Sequence, residues 1–98
     1  MRYVHSMVRI SNLEESLDFF CDKLGLVEIE RTDSEAGRYT NIFLAAPADA
    51  DKARESWAPM VELTYNWETE DYGGARNFGH LAYYVDDIYA ICQRLMDK

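Results

Sequence analysis

The alternation of hydrophobic and polar residues is clearest over residues 60–67, where it predicts a β-strand. Successive side chains of a strand point to opposite faces. One face is apolar and carries Val61, Leu63, Tyr65 and Trp67. The other face is polar and carries Glu62, Thr64 and Asn66. From this strand alone, a solvent-exposed polar face is the favoured interpretation. The alternative is a ligand-binding concavity with Glu62 at its centre.

The same pattern predicts four further strands and two helices. The strands are expected at 3–10, 26–31, 38–46 and 78–85. The first helix begins after Asn12, carries apolar residues at helical spacing and ends at Gly25, and the second follows Asp86 and Asp87. Residues 32–37 are expected to form a polar turn, 47–58 a polar connection with room for a short helical turn, and 68–77 a loop. The predicted order is β-α-β-β-β-β-α, an α+β fold.

The last two elements resemble the first two. Superposing His5 on His80, an offset of 75 residues, also matches Ile10 with Val85 and other apolar or polar pairs along both helices. We interpret this as a duplicated βαβββ unit, with 1–74 the first unit and 75–98 the start of a second. On this interpretation about three strands of the second unit lie outside the 98 residues.

Composition narrows the class of protein. A chain of 98 residues is expected to form one small domain or part of one. Its net charge of −8 argues against a nucleic-acid-binding surface, which needs clustered Lys and Arg. We find no long apolar run and no secretory signal pattern, so we expect a cytoplasmic protein with no membrane partner. Cys21 and Cys92 lack metal-type spacing and are expected to be small buried hydrophobic residues.

Three side chains suited to metal binding fall at strand centres, namely His5, Glu62 and His80. A single strand histidine is more often a hydrogen-bonded or exposed residue than a ligand. The two histidines occupy equivalent positions in the repeats, which favours a cleft shared by both. Glu62 faces this cleft from the same side. Imidazole and carboxylate groups suit Ni²⁺, Co²⁺, Zn²⁺ or Fe²⁺.

Polar residues beside this group suggest an anionic substrate. Arg9 and Asn66 each lie four residues beyond a candidate ligand, about 13 Å along the strand, and Arg76 precedes the fifth strand. Two guanidinium groups and an amide suit carboxylate and peptide groups. A salt bridge at a strand edge for Arg9 and ordinary surface solubility for Arg76 are the competing interpretations.

Several motifs resemble the glyoxalase I (lactoylglutathione lyase) family of the vicinal oxygen chelate superfamily. They are His5 with 7–10, the segment 13–25, the string Glu-Leu-Thr-Tyr-Asn-Trp at 62–67, and 79–82. The resemblance is weakest over 47–58. It implies paired βαβββ units, metal ligands at His5, Glu62 and His80, and glutathione contacts at Arg9, Asn66 and Arg76. A histidine as first ligand resembles bacterial-type enzymes, which favours Ni²⁺ or Co²⁺, with Zn²⁺ possible.

The resemblance also implies an activity and a partner. The activity is isomerisation of the hemithioacetal of methylglyoxal and glutathione to S-lactoylglutathione, with Glu62 sharing in proton transfer, in a homodimer whose sites lie between chains. The family's fourth ligand, a glutamate on the final strand, falls outside these 98 residues, so we expect them to be weakly active or inactive alone. The alternatives are a non-catalytic module that binds a small ligand and a non-haem Fe²⁺ dioxygenase.

Overall fold

The structure is a computed structural model that describes residues 1–68, 71–73 and 77–97. Its strands are β1 (Arg2–Ile10), β2 (Val27–Ser34), β3 (Tyr39–Ala45), β4 (Met60–Asn66) and β5 (Phe78–Tyr84). Its α-helices are α1 (Leu13–Leu17), α2 (Ala50–Ser56) and α3 (Ile88–Asp97). A π-helical segment, Asp18–Lys23, continues α1, and a 3₁₀ turn, Pro47–Asp49, precedes α2. The predicted α+β class is confirmed.

The strands form one sheet in the order β2-β3-β4-β1-β5. β1 is parallel to β4 and antiparallel to β5, and the remaining neighbours are antiparallel. This order places β1 between β4 and β5. The three strands that carry His5, Glu62 and His80 are therefore adjacent, and His5 lies on the central one.

One face of the sheet carries the main hydrophobic core. Ile10, Ile42, Leu44 and Leu63 form its buried centre. Leu13, Leu17 and Phe20 pack on them from α1 and the π-helical segment, as their helical spacing predicted. Alternation along the strands then directs Glu62 and its polar neighbours to the opposite face.

The first helix begins and ends where the sequence predicts, but it is not a continuous α-helix. The side chain of Asn12 accepts a hydrogen bond from the Glu15 N–H, 2.9 Å, and Gly25 has φ +89°. Between them the α-helix gives way to π-helix at Asp18. The apolar spacing does not separate the two forms, because Leu13, Leu17 and Phe20 reach the core in either case.

Two expectations were wrong, and a third was correct in kind but too short. The turn placed at 32–37 begins later, because β2 continues to Ser34, with Asp33 accepting a 2.6 Å hydrogen bond from Thr40 Oγ1. The connection at 47–58, predicted to have room for a short helical turn, holds the 3₁₀ turn and the longer helix α2, which packs through the small buried residues Ala50 and Ala53 and so shows no long apolar stripe. Cys92 is exposed on α3, while Cys21 is partly buried. Part of the predicted 68–77 loop lies outside the described residues.

The solvent-exposed face first favoured for 60–67 is also wrong. Glu62 is only 7% exposed, and Thr64 is buried as well. The apolar face of this strand was predicted correctly, since Val61, Leu63 and Tyr65 contribute to the core. Within the described ranges, no helix is both long enough and apolar enough to cross a membrane.

Candidate metal centre

Three side chains from three adjacent strands converge on one point. His5 Nε2 lies 2.7 Å from Glu62 Oε2 and 3.0 Å from His80 Nε2. His80 Nε2 lies 3.8 Å from the same carboxylate oxygen. A ligand atom from each lies within 4.8 Å of the others. The fold thus brings the sequence-predicted trio together although Glu62 follows His5 by 57 residues and His80 follows Glu62 by 18.

Hydrogen bonding alone does not satisfy this arrangement. A ring nitrogen offers either one hydrogen or one lone pair in the ring plane. His5 Nε2 has two polar neighbours in hydrogen-bond range, so a single proton serves only one of them. A cation that accepts lone pairs from all three atoms satisfies them together. The three distances of 2.7, 3.0 and 3.8 Å fall within the separation that metal–ligand bonds of about 2.0–2.2 Å allow between two ligands of one ion.

The electrostatics of the site favour neutral imidazole at its centre. Burial lowers the pKa of His5, the carboxylate of Glu62 raises it, and the neighbouring His80 lowers it. The net direction is downward, toward the unprotonated form that coordinates metal. His80 is the more open ligand, with its side chain 46% exposed.

Thr64 and Asn41 lie beside Glu62 on the same face. Thr64 Oγ1 donates to Asn41 Oδ1 at 2.9 Å and lies 3.5 Å from Glu62 Oε1. A hydroxyl has one hydrogen, and the shorter contact takes it. Oε1 of Glu62 therefore keeps free acceptor capacity, while Oε2 faces the two histidines.

The predicted substrate residues lie further along the same strands. Register aligns Arg9 with Thr64, two positions beyond Glu62, and the guanidinium donates to the carbonyl of Phe78 at 3.1 Å. Asn66 Nδ2 donates to the hydroxyl of the buried Tyr72 at 3.4 Å. Arg76, the third predicted contact, lies outside the described residues.

Comparison with known proteins agrees with this geometry. A model of the Glyoxalase/Bleomycin resistance protein/Dioxygenase superfamily matches residues 2–98. The chain belongs to this superfamily. Membership confirms the family predicted from the 62–67 string and the two histidines.

Two curated members of the superfamily are similar to the chain over its whole length. A Synechocystis sp. protein named "Probable lactoylglutathione lyase" is 36% identical over 98 residues, which are 100% of this chain and 70% of that protein. A lactoylglutathione lyase of Neisseria meningitidis serogroup A is 40% identical over 95 residues, 97% of this chain and 64% of that one. The chain therefore spans about two thirds of the length of these relatives.

A solved structure supports the fold. Methylmalonyl-CoA epimerase from Mycobacterium tuberculosis superposes with a TM-score of 0.66 at 19% identity, covering 98% of this chain and 63% of that one. At this identity the likeness concerns architecture alone.

Sequence reasoning missed the residues that surround the ligands. Phe43 and Trp57 form a row of rings beside His5, and Tyr72 contacts Asn66. Phe43 alternates with the core residues Ile42 and Leu44, so its place on the opposite face was readable from the pattern. Trp57 and Tyr72 lie in irregular segments, where periodicity carries no signal.

Proposed function

We propose that this chain holds a divalent metal through His5, Glu62 and His80 and isomerises the hemithioacetal of methylglyoxal and glutathione to S-lactoylglutathione. The observation that carries the proposal is the convergence of these three side chains on one point. The relatives named lactoylglutathione lyase support the choice of reaction.

A divalent metal at this site would act as a Lewis acid that stabilises negative charge on the substrate oxygens. Glu62 is the one carboxylate that is buried in the described part of the chain. We propose that Glu62, besides holding the metal, shares in moving the proton between the two carbons. Its Oε1, with only a weak contact from Thr64, is the oxygen available for that role.

Arg9, Asn66 and Arg76 are proposed to bind the glutathione part of the substrate. Arg9 and Asn66 follow His5 and Glu62 on strands β1 and β4, so both lie to one side of the metal. A guanidinium there suits a carboxylate and an amide suits a peptide group. An acidic chain with a net charge of −8 needs such local cations to hold an anionic substrate.

The finer points of the proposal come from the family resemblance. We propose Ni²⁺ or Co²⁺ as the metal, with Zn²⁺ as a weaker alternative, a homodimer with sites between chains, and a cytoplasmic location. We also propose that 75–98 begins a second βαβββ unit after the first at 1–74. These 98 residues offer three ligands, and Glu62 would both bind the metal and move the proton. We therefore expect them alone to turn over substrate slowly.

Metal content and binding of a substrate analogue test the proposal together. The purified chain is expected to retain about one Ni²⁺ or Co²⁺ by mass spectrometry and to bind S-hexylglutathione in calorimetry. Glu62→Gln removes the anionic ligand with little change in shape, so its metal content is expected to fall by at least about tenfold. Glu55→Gln, which removes an exposed carboxylate on α2, is the matched control and should keep the metal.

Each alternative has its own outcome. A chain that holds Fe²⁺ and ignores the glutathione analogue would favour a dioxygenase, since two histidines and a carboxylate are also that chemistry's ligand set. A chain that binds neither would favour a non-catalytic module. Either result contradicts the proposed reaction.

A further inference from the structure

The ring of His5 lacks the hydrogen bond that usually orients a metal-binding histidine. Such a histidine normally donates its second N–H to a carboxylate, a carbonyl or water, which fixes the orientation of the ring. His5 Nδ1 is buried, and among the described residues it has no hydrogen-bond partner. Another contact has to hold the ring in place.

Aromatic packing supplies that contact. The Phe43 ring meets the His5 ring at 5.7 Å between centroids and an angle of 69°. Trp57 meets Phe43 at 5.7 Å and 80°. Both are edge-to-face geometries, which favour particular ring orientations rather than simple contact. A row of three rings therefore runs from the metal site to the end of α2.

Trp57 is anchored at the outer end of this row by its backbone. It caps α2 with φ +60° and ψ +26°, the left-handed conformation, and its N–H donates to the Ala53 carbonyl at 2.8 Å. Bulky residues rarely adopt this conformation, and it persists where the surroundings require it. Ala53 is itself buried with Ala45 and Met60 in a second cluster, against which Phe43 packs.

We propose that Phe43 and Trp57 are positioning residues that orient the His5 imidazole for metal binding in place of a hydrogen bond to Nδ1. The inference rests on the proposed metal centre and goes beyond it, because it assigns a role to two residues that offer no metal ligand. A purely structural role predicts only a change in stability. A positioning role predicts a change in the order of the His5 ring and in metal affinity at unchanged fold.

Four variants separate these roles. Phe43→Leu removes the ring and keeps apolar bulk. Trp57→Gly removes the outer ring at a position where glycine adopts the left-handed backbone freely, so the loss of stability is minimised. Trp57→Phe restores an aromatic ring. Phe19→Leu is the control, because it breaks a similar edge-to-face pair, with Phe20, on the opposite face of the sheet.

The first measurement uses the metal-free chain. Nuclear magnetic resonance relaxation of the imidazole Cε1–H groups reports ring order, and the chain has only two histidines to assign. We expect the His5 ring to be ordered in the parent chain and in Phe19→Leu, and mobile in Phe43→Leu and Trp57→Gly. Order should return in Trp57→Phe.

The second measurement is titration with Co²⁺, followed by its visible absorption. Phe43→Leu and Trp57→Gly are expected to bind about tenfold more weakly, as when an outer-shell partner of a ligand is lost, with a changed spectrum. If both variants are folded, and ring order and affinity match the parent, the inference is overturned. A parent chain that binds no Co²⁺ would overturn the metal centre, whereas the metal-free measurement judges the positioning role on its own.

Discussion

The two cysteines differ at the level of the single residue. Cys21 packs against the hydrophobic core from the π-helical segment, whereas Cys92 is exposed on α3. Burial raises the pKa of the Cys21 thiol, and the carboxylates of Glu28 and Asp22 raise it further, while Arg31 acts in the opposite direction. The thiolate is the reactive form, so Cys21 is expected to react more slowly than a thiol with an ordinary pKa.

Alkylation tests this expectation. At pH 8, iodoacetamide is expected to modify Cys92 several-fold faster than Cys21, and Cys21 should gain reactivity only as the pH rises past its raised pKa. Glu28→Gln removes one cause of the raised pKa and should speed the modification of Cys21. Glu30→Gln, an exposed carboxylate two residues along the same strand, should not. Equal rates in the two variants would contradict the electrostatic explanation.

The convergence of His5, Glu62 and His80 was predictable at the scale of residues, but the row of rings beside His5 was not. Glu62 could be found because a carboxylate interrupts an apolar strand, and the two histidines because they fall at the same position of the predicted repeat. Phe43 and Trp57 are joined by a contact between a strand and a helix end. The periodicity of the sequence does not reveal such a contact, since it depends on how α2 packs against the sheet.

At the scale of elements, Gly25 determines how the first helical segment ends. Its φ of +89° lies in the left-handed region, and the Leu26 N–H after it donates to the Phe20 carbonyl at 2.9 Å. A Cβ at this position would have no heavy atom within 4 Å. A side chain at this position therefore lowers stability only through the left-handed backbone conformation that it would have to adopt.

Substitution of Gly25 measures this cost. Gly25→Ala is expected to lower the free energy of unfolding by about 1–2 kcal/mol, measured by urea unfolding followed by circular dichroism. Gly25→Asn is the matched control, because asparagine tolerates the left-handed region better, and it should lose less. If alanine is no worse than asparagine, the cap does not determine the stability of this helix end.

The elements that the sequence missed share a physical reason. Prediction from periodicity works where one face of an element is apolar and large, as in β4 and α1. α2 buries only two alanines, so its pattern is too weak to separate a helix from a polar connection. β2 extends to Ser34 because its last residues pair with β3, a cross-strand contact that local sequence does not contain.

At the scale of the whole molecule, apolar surface is exposed at the β5 edge of the sheet. β5 is an edge strand, and α3 after it has no buried residue among those described. Large apolar side chains are exposed there, with Tyr89 at 84% and Leu95 at 71%. Apolar surface of this kind usually marks an interface, either with the remaining strands of the proposed second unit or with a second copy in the proposed homodimer.

Sedimentation of the 98-residue chain tests the interface. We expect a dimer at micromolar concentration and a monomer in Leu95→Glu, because a charge on the apolar surface opposes its burial. Ala90→Glu adds the same charge at another exposed position of α3 and should remain dimeric. A parent chain that sediments as a monomer would contradict the proposal.

Metal binding at the proposed site would couple the site to the stability of the whole fold. His5, Glu62 and His80 come from three strands, and the unfolded chain does not hold them together, so a metal that binds the folded state stabilises it. Ni²⁺ at a hundred times its dissociation constant is expected to add about 2.7 kcal/mol to the free energy of unfolding. For a domain of this size, each kcal/mol added to the free energy of unfolding raises Tm by roughly 4–8 °C.

Calorimetric unfolding with Ni²⁺, and again after a chelator, measures this gain. The chelator should return Tm to the value of the metal-free chain. His80→Gln replaces the most exposed of the three ligands, so the metal-free Tm should change little while most of the gain is lost. If Ni²⁺ raised the Tm of His80→Gln as much as that of the parent, the metal would be bound elsewhere, and the three strands would not share it.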